Sequence, residues 1–147
     1  MRAAIYFVFL CLLLTCHVTL ASEKIEPPKE CKQCGMDRWA FASSRMMVVY
    51  ADGTTAGTCS LNCAVVEMKA NKGKKVKSLS VADYGTKKLI DARTAIWVLG
   101  GSKSGVMTEM PKWAFARKED AQKFVREYGG RVATFDEALN LALKENE

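Results

Sequence analysis

Two amphipathic helical stretches, each preceded by a pair of short apolar runs and followed by a third, constrain this chain more than any other feature. In the first half, Arg45 to Tyr50 (RMMVVY) reads as a strand and Asp52-Gly53 as a hairpin turn. Thr54 to Thr58 then returns as the partner strand. A helix begins near Ser60, whose hydroxyl can cap the free amide of Cys63. Leu61, Ala64, Val65 and Met68 recur at i, i+3, i+4 and i+7, one apolar stripe. Asn71 and Gly73 stop it, and Val76 to Ala82 is the next strand. The second half repeats the order. Ala95 to Leu99 is a buried strand, Gly100 to Gly105 a flexible loop, and Lys112 to Ala116 another strand. Lys118 to Tyr128 is a helix with Ala121, Phe124, Val125 and Tyr128 on one face. Gly129-Gly130 ends it in the left-handed manner, and Arg131 to Ala133 follows as a short strand. Thr134 and Glu137 form a capping box for a last helix through Ala138, Leu139 and Ala142. The tetrapeptide WAFA occurs twice, but at different points of the two halves, which marks a coincidence. The expected fold is α+β: two similar ββαβ halves with short antiparallel sheets, helices on one side, and a C-terminal helix.

The N-terminal segment does not belong to that body. Arg2 precedes an apolar run of ten residues, Ile5 to Leu14, too short to span a bilayer, which needs about 20. A Thr-Leu-Ala-Ser junction follows, so residues 1–21 read as a secretory signal cleaved after Ala21. The alternative is lipoprotein processing at Cys16, which would anchor the chain to a membrane. Both imply that the chain is exported. Residues 22–30 (SEKIEPPKE) carry charge and Pro27-Pro28 and read as an exposed linker. The first half then covers 31–84 and the second 85–147.

Cleavage after Ala21 removes the only histidine, His17, together with Cys11 and Cys16, and leaves four cysteines. Lipoprotein processing would keep His17, but on the tether beside the lipid, a poor place for an active site. The net charge falls from +6 to +5, because Arg2 leaves and no acid does. Without imidazole there is no Ser-His-Asp or Cys-His enzyme and no His-ligated zinc hydrolase, so no enzyme is expected. Lys72, Lys74, Lys75 and Lys77 surround a glycine and read as a solvated loop, or as a docking patch for an acidic or membrane-associated partner. No aromatic residues interleave with them, which argues against nucleic acid.

What remains is sulfur. Cys31 and Cys34 (ECKQCGM) lie before the first strand, and Cys59 and Cys63 (CSLNC) at the start of the first helix. With Leu61 as zero and about 100° per residue, Cys63 falls at about 200° and Cys59 at about 160°, both away from the core stripe. A thiol at a helix N-terminus also has its thiolate favoured. Four readings stay open. C-x2-C followed by C-x3-C suits a structural zinc site, although an oxidising compartment disfavours one. A disulfide framework fits the same residues. A thioredoxin-like centre lacks its βαβ context. A Cu(I) site matches thiolate and thioether ligands, and it alone gives Met36 and Met107 a task.

Cys34-Gly35-Met36, joined to WVLGGSKSGVM, WAFARKEDAQKFVREYGG and RVATFDEA, resembles the NosL family, exported copper-binding accessory factors for nitrous oxide reductase. The resemblance spans about Cys31 to Leu141. It implies a non-enzymatic Cu(I) carrier, commonly a membrane-anchored lipoprotein. Such a carrier hands copper to a periplasmic acceptor or an ABC-transporter-associated maturation protein. It implies two related ββαβ halves, with Cys34 and Met36 as paired ligands and Met107 as the thioether from the second half. Lys32 stands where many relatives have a histidine. Cys31, Cys59 and Cys63 are thiols that the simplest members lack, and they join the expected ligand set.

Overall fold

The structure, a computed structural model, describes residues 25–147. The signal segment, the cleavage site after Ala21 and the lipidation site Cys16 lie outside the described residues. β1 (Met46–Tyr50) turns through Asp52-Gly53 into β2 (Thr55–Thr58), with Val49 opposite Thr55. The turn is held locally: Gly53 takes φ +84, and the Asp52 carboxylate accepts from the Thr54 amide at 2.9 Å. Next come α1 (Leu61–Ala70), β3 (Val76–Ala82) and a short β4 (Leu89–Asp91). The second unit is β5 (Ile96–Leu99), β6 (Lys112–Phe115), α2 (Lys118–Tyr128) and β7 (Arg131–Ala133), followed by α3 (Phe135–Lys144).

The expected α+β architecture holds, and the pairing repeats as well as the order. The first sheet runs β2-β1-β3-β4 and the second β6-β5-β7, all antiparallel. In both, the opening strand of the unit lies between its hairpin partner and the strand that follows the helix. The first sheet extends past residue 84, where the sequence suggests a division. Leu89 and Ile90 are too short an apolar run to announce a strand, and β4 exists because the free edge of β3 pairs with it.

Strand alternation decides where the core sits. Met46, Val48 and Tyr50 of β1 point one way and meet Leu61, Ala64 and Val65 of α1. The same core continues into the second unit through Trp97, Leu99, Phe135, Ala138 and Ala142. Val98 points to the opposite face of its sheet, where Trp113, Phe115, Ala121 and Phe124 form a second cluster around Tyr84. The second sheet is therefore covered on both faces, by α3 on one and α2 on the other, rather than on one side only. Local signals behave as the residues suggest. Ser60 accepts from the Cys63 amide at 3.3 Å, and Thr134 and Glu137 complete a reciprocal capping box.

Two buried ion pairs tie the units to their ends. Arg38 is fully buried and holds Glu26, so the linker is pinned at that residue; of its described residues, 25–30, Ile25 and Glu26 are partly buried and 27–30 exposed. The solvated look of Glu26 in the sequence misleads because its partners, Arg38 and Arg45, meet it only in the folded chain. At the other end, Lys112 Nζ lies 2.8 Å from the Glu145 carboxylate, with both side chains almost withdrawn from water. Burial pushes the Glu145 carboxyl up. Bonds from Lys112, Thr108, Asn62 and the Met110 amide outweigh it and bring it down to about 2, from an ordinary 4.5. A depressed carboxyl pKa stabilises the fold fully above about pH 4.5, and that stability is lost as pH falls toward 2. Glu145→Gln should cost about 2–3 kcal/mol at pH 7. The deficit should shrink steadily in urea unfolding below pH 4.5. A deficit that stays constant down to pH 3 would mean that the carboxylate charge is not what the pair supplies.

Candidate metal centre

The site forms where two short segments meet. One is the junction between β2 and α1. Ser60 takes extended dihedrals (φ −158, ψ 170) and caps the helix, so Cys59 and Cys63 flank the first helical turn. The other is the loop from Cys31 to Met36. Cys31 N–H donates to the Met36 carbonyl at 2.8 Å, and Gly35 N–H to the Cys31 carbonyl at 2.9 Å. Gly35 closes this loop at φ +73, a conformation that a side chain would strain. The Lys32 amide then donates to the Gly57 carbonyl at 2.9 Å and docks the loop on β2, two residues before Cys59.

The result is a cluster of four free thiols, Cys31, Cys34, Cys59 and Cys63, all within 4.8 Å of one another. Three of them form a near-equilateral triangle: Cys34 to Cys59 is 3.6 Å, Cys59 to Cys63 3.7 Å, and Cys34 to Cys63 3.9 Å. An ion at its centre would lie about 2.2 Å from each sulfur, close to the length of a metal–thiolate bond. With Cys31 included, the edges approach the roughly 3.8 Å of a tetrahedral thiolate cage. Soft donors in this geometry suit Cu(I) or Zn(II), and they do not suit the hard cations that oxygen ligands hold.

The surroundings are apolar. Met36, Phe41 and Val106 pack against the cluster; Cys31, Cys59 and Cys63 are buried, and Cys34 is partly open. The cluster is electrostatically uneven. The Cys59 thiol donates to the Cys63 sulfur, which draws Cys63 down to about 6 against the opposing effect of burial, with Ser60 assisting. The same bond and burial push Cys59 up. Burial raises Cys34, while the Met36 amide donates to its sulfur and works against the rise. One thiolate, at the helix N-terminus, is thus favoured near neutral pH as a first anionic ligand.

The helical angles correctly turn Cys59 and Cys63 away from the main core. They do not leave the thiols in water, as an outward face suggests, because the Cys31–Met36 loop covers them. Met36 is packed on the cluster. Met107 is not among the residues packed there; it is 52% exposed, with φ +51, and only its neighbour Val106 reaches the cysteines. Phe41 and Val106 escaped the sequence reading, since single apolar residues in loops carry no periodic signal.

The NosL family model matches residues 22–141 of the chain. No curated protein matches. Among solved structures, the copper chaperone NosL from Shewanella denitrificans superposes with a TM-score of 0.60 at 26% identity. That match covers 79% of this chain and 93% of that one. Matched over most of its length and in fold, the chain belongs to the NosL family.

Proposed function

We propose that this protein is a copper chaperone that binds Cu(I) through cysteine sulfur and delivers it for maturation of a periplasmic copper enzyme such as nitrous oxide reductase. The observation that carries this reading is the preformed triangle of Cys34, Cys59 and Cys63, with Cys31 beside it. Residues 25–147 contain no histidine, which supports binding through sulfur. Such a carrier performs no catalysis. It holds a soft ion in a dry pocket and gives it up by stepwise exchange of ligands. Half of the thiols sit on a rigid strand–helix junction and half on a six-residue loop, which suits retention followed by release.

The apolar N-terminal run supports export, the family likeness supports the periplasm as its destination, and Cys16 is the lipid anchor if processing occurs there. No helix among the described residues is long and apolar enough to cross a membrane. The acceptor is a periplasmic copper protein or a maturation protein associated with an ABC transporter. The second reading, a structural zinc site, is favoured by the fourth thiol, which brings the cluster close to a closed tetrahedron.

Anaerobic titration of the reduced mature protein, with X-ray absorption to read the ligands, separates the two. The expected result is Cu(I) on two or three sulfurs in a protein that remains cooperatively folded without metal. Preference for zinc, with unfolding on its removal, would replace the copper reading by the structural one. The exposed thioether is tested in the same assay. Met107→Leu keeps most of the volume and should change stability by less than about 1.5 kcal/mol. It should weaken Cu(I) binding less than loss of a cysteine does. Unchanged affinity would remove Met107 from the ligand set and leave the four thiols with Met36.

A further inference from the structure

We propose that the segment 100–111 is a strap over the cysteine site, with Val106 as its plug and Glu145 as the latch that holds it shut. This rests on reading the cysteine cluster as a cargo site, since the strap would set access to it. The ends of the strap meet: Gly100 N–H donates to the Pro111 carbonyl at 2.9 Å, so the residues between form a closed surface loop. Its base is fixed. Gly100 and Gly101 take φ +77 and +95 against Gly129 and Gly130, and a Cβ on Gly101 would lie 2.8 Å from the Tyr128 carbonyl. The Ser102 amide donates to that same carbonyl at 2.7 Å. Movement is therefore confined to the residues beyond.

Two contacts hold those residues down. Val106 packs against the buried cysteines. Past Met107, the Glu145 carboxylate gathers Thr108 Oγ1 at 2.6 Å, the Met110 amide at 3.1 Å and Lys112 Nζ at 2.8 Å. It also accepts from Asn62 Nδ2 at 2.6 Å, one residue before Cys63. A single carboxylate at the end of α3 thus joins the strap to the helix that carries Cys63.

The closed strap is not free of cost. Met107 sits at φ +51, and Asn62 Oδ1 is buried without a partner. Both penalties fall away if the strap lifts and water reaches Asn62. Along one edge, an open groove lined by Phe41, Ser44, Gly105 and Val106 leaves room for the movement. The balance between closed and open then depends on the latch, and Glu145 is a positioning residue.

Alkylation of the four thiols tests this without any metal. Reduced mature protein is treated with iodoacetamide, and each cysteine is followed by mass spectrometry. In the parent, Cys34 should react ahead of Cys31, Cys59 and Cys63. Val106→Ala and Thr108→Val, which leave the Lys112–Glu145 pair intact, should each speed the three buried thiols by about tenfold, and Glu145→Gln by more. Glu145→Asp should restore part of the protection. Leu79→Ala, which loosens the main core at β3 instead, is the destabilised control and should leave the pattern unchanged. Buried-thiol rates that stay at the parent value in the strap variants would overturn the proposal. So would rates that follow melting temperature alike in the strap and control variants. Failure to bind Cu(I) would overturn the chaperone reading while leaving this result standing.

Discussion

Replacing Arg38 by methionine should destabilise the protein by about 3–5 kcal/mol, the range for removing one partner of a buried charge pair. The guanidinium is fully buried and serves five acceptors at once. Nε donates to the Thr58 carbonyl at 3.3 Å, and the terminal nitrogens to the Met46 carbonyl at 3.1 Å, the Glu26 carbonyl at 2.9 Å, the Pro28 carbonyl and the Glu26 carboxylate. It lies flat on Gly57, where a Cβ would come within 2.6 Å of Cζ. Methionine fills part of the volume but leaves carbonyls of three segments without donors. Lysine should not rescue, because a point charge cannot satisfy a planar fork of acceptors. Arg38 follows Met36 and its acceptor Thr58 precedes Cys59, so the variant should also bind metal more weakly. Urea unfolding at pH 7 measures the effect. An Arg38→Lys variant within 1 kcal/mol of the parent would refute the account of the fork.

The largest effect on binding is expected at the thiols of the triangle. Cys63→Ser should lower Cu(I) affinity by more than about a hundredfold, beyond what loss of an outer partner of a metal site costs. Cys63 is the thiol drawn down to about 6 by Cys59, and it supplies the first anion to an incoming cation. Cys34→Ser should act in the same direction. The motif Cys-Gly-Met on its own suggests that this change abolishes uptake, whereas three buried thiols in reach of one another predict a weak residual site. Stability should change by only about 1 kcal/mol in either variant, since the core proper is elsewhere. Competition with a chromophoric Cu(I) chelator gives the affinities. A Cys63→Ser protein that holds copper as tightly as the parent would show that the ligands lie outside the triangle.

Much of the local architecture was legible because its causes are local. Lys118 to Tyr128 is a helix on its own period, and Gly129-Gly130 ends it with φ values of +76 and +87. Ser60 and Thr134 cap the helices that follow them, because a hydroxyl just before an apolar stripe has free amides within reach. β4 was not legible. Neither were the two-sided cover of the second sheet and the pinning of Glu26. Each depends on a partner distant in the chain: β3, α3 with α2, and Arg38 with Arg45.

The candidate site divides in the same way. Sequence by itself pointed to the chemistry, since residues 25–147 contain no histidine and their four cysteines, two by two at short spacing, offer soft sulfur ligands. It also determined that Cys59 and Cys63 turn from the main core, because helical rotation is a property of the segment alone. Only tertiary structure decided that the two cysteine pairs coincide. That meeting is made by the Lys32 amide on the Gly57 carbonyl and by Arg38 on Thr58, bonds between residues twenty or more positions apart. Only tertiary structure placed Val106 on the cluster and left Met107 half in water, because the course of a glycine-rich loop is set by the groups that catch it. A sequence period reports on neighbours within a helix or strand, and long-range contacts carry no period.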